Sequence, residues 1–263
     1  MAVQVSLAPD FIFNVGPVMV SNSMIATFAT TVLIFLAALY VRQGAGVIPT
    51  RVQTLFEVFV DFFMDQLERV TGSEKQARKV FPVFFTVFFF LLFANQFGLI
   101  PLLGIFVVGE EGVPLFRTPT TEYSLPIAMA LTVLVFTHVL AFSLTPLGHL
   151  GNYIKVGPII KALKARSLND LAMGFVDFFL GLLDIIGELA KIISLSTRLF
   201  GNIVAGEVII AIISSLFFFT QFVVPLPFLL LSTASSFVQA IVLPFLGMLF
   251  MGNILSALPS KKT

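Results

Sequence analysis

The chain has 263 residues, 58% of them hydrophobic and 11% charged, with a net charge of +1 and a mean hydropathy of +1.04. About a quarter of a soluble domain is charged, so this chain cannot cover a soluble surface, and its balanced charge excludes the basic face that nucleic acid requires. Its lack of cysteine removes disulfides, thiolate metal sites and cysteine nucleophiles.

The N-terminal segment carries neither the basic stretch nor the cleavage site of a signal peptide, so insertion is expected from internal spans. A span needs about 20 mostly apolar residues. Five regions qualify, at about 24–42, 80–103, 125–144, 171–219 and 228–258. Between the first two, at about 50–70, Glu57, Asp61 and Asp65 recur every four residues opposite Leu55, Phe56, Phe59, Phe62, Phe63 and Leu67. That is an amphipathic helix, lying in the membrane interface or packed on a neighbour. Gly and Pro clusters at 44–49 and 109–119 read as loops. The expectation is an all-α polytopic membrane protein in one integral membrane domain, with about five crossings and one interfacial helix, the last two spans long and steeply inclined.

Basic residues orient the chain. All fifteen Lys and Arg except Arg117, Lys191 and Arg198 fall in segments on one side, after the first span, after the third and at the C-terminus. The expected topology has the N-terminus outside and the C-terminus in the cytoplasm.

The region 170–219 holds the chemistry. It contains no proline, so one inclined or kinked helix is expected rather than two joined near Gly187. Asp177, Asp184, Lys191 and Arg198 recur every seven residues, and Glu188 and Asn202 add spacings of four. At about 100° per residue these share one face, a polar stripe from the cytoplasmic end to mid-membrane. Arg198 is permanently charged, and an arginine at the bilayer centre costs roughly 2.5–3.5 kcal/mol on the lenient scale. Such a charge is tolerated in a static pair with Glu188 or Glu207, or when it does work in a polar cavity. Glu207 lies half a turn round from Arg198 and about 13 Å further along the axis. Ionisable groups on both sides of a fixed cation suggest two offset polar routes; packing as a protonated, hydrogen-bonded acid is the other reading of Glu207. In the last span Ser232, Ser236 and Gln239 share one side, the serines serving helix packing or, with Gln239, lining a polar site.

The run Ser194-Leu195-Ser196-Thr197-Arg198-Leu199-Phe200-Gly201-Asn202-Ile203-Val204-Ala205-Gly206-Glu207 closely resembles the signature of F-type ATP synthase subunit a, and the resemblance extends over most of the chain. It implies that Arg198 faces a rotating ring of c subunits, attracts the ring's carboxylates and separates two aqueous half-channels. It places Asn202 and Gln239 beside the arginine, Glu207 on the outer uptake route, and Asp184 and Lys191 toward the cytoplasmic exit, with Glu188 and Asp177 continuing the stripe. The family's Pro-Thr-x-Asp-x-Asn motif is here Pro119-Thr120-Thr121-Glu122-Tyr123-Ser124, and a position that is histidine in some members is Ser232. Glu122 and Ser232 therefore stand as departing members of the uptake route. His138 and His149 do not fill that histidine position.

The resemblance further implies peripheral-stalk b subunits and the rest of the ATP synthase as partners, and a bacterial plasma (inner) membrane location. No Gly-rich nucleotide loop with its lysine is present, so nucleotide chemistry must lie on a partner. The subunit is not expected to be an enzyme on its own, and neither metal nor cofactor is called for. A secondary ion-coupled transporter is the alternative, for which inverted repeats and broken helices would be the marks. A structural membrane scaffold is a third reading.

Overall fold

The computed structural model describes residues 10–44, 46, 49–97, 106–108, 113–144, 146, 153, 168–216 and 224–256. His149, the basic residues 155–166 and the C-terminal lysines lie outside them.

The described chain is almost wholly helical. It opens on a hairpin that hydropathy did not announce: β1 (Phe11–Val15) pairs antiparallel with β2 (Val18–Ser21). Gly16 turns the chain between them at φ 61°, a conformation open to glycine at little cost. Six helices follow: α1 (Asn22–Gln43), α2 (Arg51–Thr71), α3 (Glu74–Phe97), α4 (Ser124–Leu144), α5 (Leu168–Leu216) and α6 (Pro225–Ser256). A short two-stranded ladder, β3 (Val107–Val108) with β4 (Val113–Pro114), and a 3-10 turn at Pro119–Thr121 lie between α3 and α4. Helices α1, α3, α4 and α6 are long and apolar enough to cross a membrane. The protein is a polytopic all-α membrane protein.

Local sequence sets the helix ends. Ser21 Oγ accepts from Met24 N at 3.3 Å and starts α1; Thr50 Oγ1 does the same from Gln53 N for α2. Gly72 ends α2 in the left-handed conformation, as C-terminal glycines commonly do, and only one residue, Ser73, separates it from α3. That tight turn folds α2 back along α3.

In lipid there is no hydrophobic drive between helices, so close packing must hold them. Phenylalanine supplies much of it. Phe56 stacks on Phe89 with centroids 5.1 Å apart, and Phe63 meets Phe88 at 5.1 Å and Phe245 of α6 at 5.8 Å. Such pairs contribute about 0.5–1.5 kcal/mol beyond area burial. Helix α2 thus packs on α3 and α6 through its aromatic side while Glu57, Asp61 and Asp65 stay exposed. Helix α6 approaches α4 so closely at Gly247 that a Cβ there would lie 2.2 Å from Val133 Cγ1. Helix α1, by contrast, buries only Asn22, Ser23, Ala26 and Thr30.

Helix α5 runs unbroken for 49 residues, about 74 Å at 1.5 Å per residue, against a hydrocarbon core of about 30 Å. No turn signal divides it, and Gly187 lies within the continuous helix.

Candidate functional site

Helix α5 lies against α4 and α6 through Leu195, Ser196, Leu199 and Ile203, all buried. Ser196 donates to Ile192 O at 2.7 Å and lies 3.4 Å from Pro126 O of α4. This face fixes the rotation of the helix and turns Arg198 outward, where it is exposed. Among the described residues Arg198 makes no ion pair, so neither Glu188 nor Glu207 neutralises it within the chain.

Arg198 lies within a row that sequence reading did not single out. Gly187, Ala190, Ser194, Arg198, Gly201 and Ala205 recur at spacings of three and four, one helical face. All but Gly187 are exposed, and Gly187 is partly so. A Cβ at Gly187 or Gly201 would meet nothing within 4 Å. Small side chains on a membrane helix let another helix approach its backbone, so the cation projects from a surface shaped for close apposition. Beside it a cavity of about 270 Å³ is lined by Lys191, Ser194, Leu195, Arg198, Leu246 and Phe250 among others.

Toward the end of α5 that the basic residues assign to the outside, the polar groups are mostly neutral. Asn202 Oδ1 accepts from Ser235 Oγ of α6 at 2.8 Å. Gly206 presses on Ser232, a Cβ there falling 2.6 Å from Ser232 Oγ. Glu207 accepts from the Thr118 hydroxyl, with the charge of Arg117 also acting on it. Thr120 Oγ1 donates to Asn95 Oδ1 at 2.9 Å, and Asn95 Nδ2 reaches Ser236 O at 3.5 Å. Gln239 is buried, and its Nε2 has no hydrogen-bond partner among the described residues.

Glu122 sits on the same connecting segment but faces the start of α1. It accepts from the Ser23 hydroxyl and from Ser21 Oγ at 3.3 Å. The segment 118–122 therefore carries Thr118 toward Glu207, Thr120 toward α3, and Glu122 toward α1. Glu207 and Glu122 belong to one polar layer without touching.

Toward the opposite end of α5 the partners are charged. Glu188 Oε1 pairs with Lys191 Nζ at 2.6 Å, and Tyr153 OH donates to the same oxygen at 3.4 Å. Glu188 Oε2 lies 3.6 Å from His138 Nε2 of α4. Lys191 Nζ also lies 4.6 Å above the Phe250 ring, a cation–π arrangement. Burial, with the charges of Glu188 and Asp184, pushes the Tyr153 hydroxyl above its ordinary value, so it remains a donor. Asp184 is exposed and Asp177 half-buried. The heptad spacing from Asp177 to Arg198 does not make these side chains equally accessible, because α4 and α6 cover part of the face.

Asn95, Thr118, Thr120, Ser21, Ser23, Ser235 and His138 enter the site from outside the sequence-derived set. The available signal was weak. Asn95 and His138 are polar residues inside apolar runs, and such residues must find partners in lipid. Thr118 and Thr120 lie in a connection whose course only the fold reveals, and Ser21, Ser23 and Ser235 are serines of a kind too common to mark themselves.

The family profile described as ATP synthase A chain matches residues 23–252. The chain is 26% identical over 246 residues to the ATP synthase subunit a of Moorella thermoacetica, covering 93% of this chain and 95% of that protein. It is 32% identical over 229 residues to the ATP synthase subunit a of Syntrophobacter fumaroxidans, covering 85% and 81%. Against the ATP synthase subunit a of Trichlorobacter lovleyi it is 29% identical over 232 residues, covering 88% and 85%.

Proposed function

The chain belongs to the ATP synthase A chain family, and on that premise we propose that it carries protons to and from a ring of c subunits by two offset half-channels that Arg198 keeps apart. The observation that carries this reading is the exposed arginine in a row of small residues, with Glu207 on one side of it along α5 and Glu188, Asp184 and Asp177 on the other. An arginine unpaired among the described residues, on a face open to another helix, fits a site where the opposite charge arrives on a partner.

Protons enter from outside through the polar layer of Glu207, Asn202, Ser232, Gln239 and Glu122. They neutralise a ring carboxylate, which then turns into lipid at a far lower cost than a charged one. After most of a rotation the carboxyl meets the cytoplasmic route formed by Glu188, Asp184, Asp177 and Lys191. Arg198 favours the ionised carboxylate and so drives release; its fixed charge opposes direct passage between the routes. The membrane potential contributes about 2.3 kcal/mol per charge per 100 mV. The chain itself is non-catalytic and docks to the ring and the peripheral-stalk b subunits in a bacterial plasma membrane, N-terminus outside. The continuity of α5 supports this over a secondary transporter, in which broken helices are expected.

The test is Arg198→Ala in reconstituted ATP synthase. Loss of proton-driven ATP synthesis with the complex assembled is the expected result; retained synthesis overturns the reading.

A further inference from the structure

The cytoplasmic cluster contains a titratable group that no spacing along α5 could reveal. His138 lies on α4, fourteen residues after Ser124, and its Nε2 faces Glu188 Oε2 at 3.6 Å. Its ring meets the Tyr153 ring edge-on, with centroids 6.0 Å apart. The two oxygens of Glu188 differ. Oε1 is held by Lys191 and Tyr153, whereas Oε2 is buried and accepts no hydrogen bond among the described residues.

A buried carboxylate oxygen without a donor costs about 1–3 kcal/mol or more. What stands before this one is an imidazole nitrogen, slightly beyond hydrogen-bond length. Histidine is the side-chain type that changes charge between about pH 5 and 8, which suits it to passing on protons near neutrality. Among the described residues, the other charged or titratable groups around the pair are Lys191 and Asp184 from α5 and Tyr153 from the connection after α4. Helix α6 contributes the Phe250 ring.

We propose that His138 is a further proton-transfer residue of the cytoplasmic route, taking up at Nε2 the proton that a protonated Glu188 gives up from Oε2. One O–H bond breaks and one N–H bond forms, leaving a carboxylate beside an imidazolium. Loss of a proton from the imidazolium to cytoplasmic-side water restores the neutral ring, and no further reactant is needed. The step leads the route sideways from α5 to α4, toward Tyr153. This inference rests on the half-channel reading above.

The experiment uses the whole ATP synthase in inverted vesicles, with the cytoplasmic-side pH stepped from about 5.5 to 8.5 across the histidine range and the pH inside the vesicles held constant. The parent is expected to show a step in proton-translocation rate across that range. His138→Gln, which keeps size and polarity but cannot titrate, is expected to lose the step and to run more slowly. Glu188→Gln, which removes the donor from the other side, is expected to lose the same step, and the double variant to add nothing further. A His138→Gln complex whose pH profile runs parallel to the parent's overturns the proposal, whatever its absolute rate. Should that variant fail to assemble, an unaltered profile in Glu188→Gln overturns it equally. Arg198→Ala, measured in parallel, keeps the two readings distinct: synthesis abolished there with the pH step intact in His138→Gln rejects the histidine alone.

Discussion

Glu188 and Glu207 lie on the same helix, on opposite sides of Arg198, and meet opposite surroundings. Glu207 is held by the Thr118 hydroxyl, with the charge of Arg117 acting on it, close to the Asn202–Ser235 pair. Glu188 is held by a lysine ammonium, with an imidazole and a phenol close by. A hydroxyl both donates and accepts, so Glu207 keeps a hydrogen bond with or without a proton; an ammonium only donates. Under the proposed function, Glu207 can accept protons without first breaking an ion pair. Glu188 sits in a charged network, through which the proposed route would hand its proton on. The lesson is that residue type alone does not set a role: the neighbouring helices do.

That contrast can be broken by experiment. The largest expected effect belongs to the cation between the two regions: Arg198→Ala should bring proton-driven ATP synthesis to background while ring and subunit still co-purify. Arg198→Lys should recover little, since a compact ammonium does not reproduce the planar guanidinium fork. Next, Glu207→Gln should lower translocation about 10²- to 10⁴-fold, the range expected when a positioned acid–base group is lost. Glu188→Gln should change the dependence of translocation on cytoplasmic pH as well as its rate; equal losses at every pH would erase the distinction between the regions.

A smaller effect concerns shape. Gly206→Ala puts a methyl against Ser232 Oγ and should slow uptake several-fold, within the roughly 1–3 kcal/mol typical of overpacking. Adding Ser232→Ala should restore much of the rate, because it removes the atom in the way; a double variant no better than the single would mean that the hydroxyl, not the space, matters. Smallest of all, Thr118→Val removes the donor to Glu207, worth about 1 kcal/mol. Initial rates of acid-driven uptake should fall a few-fold, with the cytoplasmic pH profile unchanged.

Much of the site was legible before any fold. Arg198 stands out because a charge in an apolar run is rare and expensive, and the polar stripe stands out because helical periodicity survives in the sequence. The carboxylates Glu188 and Glu207 were visible for the same reasons, whereas Glu122 was visible only through the family motif from which it departs. Their partners were not. Thr118 reaches Glu207 from 89 residues away, and Ser23 reaches Glu122 across 99; serine and threonine are common enough that neither position marks itself. His138 was set aside because it matched no expected spacing, and its place beside Glu188 emerged only where α4 crosses α5. The N-terminal hairpin escaped notice because five- and four-residue strands leave too short a pattern to separate from an apolar loop.

Sequence alone determined that this chain spans a membrane, that many of its charged and polar residues lie on one long helix, and that a fixed cation sits between acidic groups. Those conclusions follow from composition, from the absence of proline and from periodicity, all of which act along the chain. Only the tertiary structure decided which way Arg198 faces, which carboxylate has neutral and which has charged partners, and that α4 contributes an imidazole to one of them. Those are contacts between helices, set by how phenylalanines and glycines let the helices approach, and no spacing within a single helix encodes them.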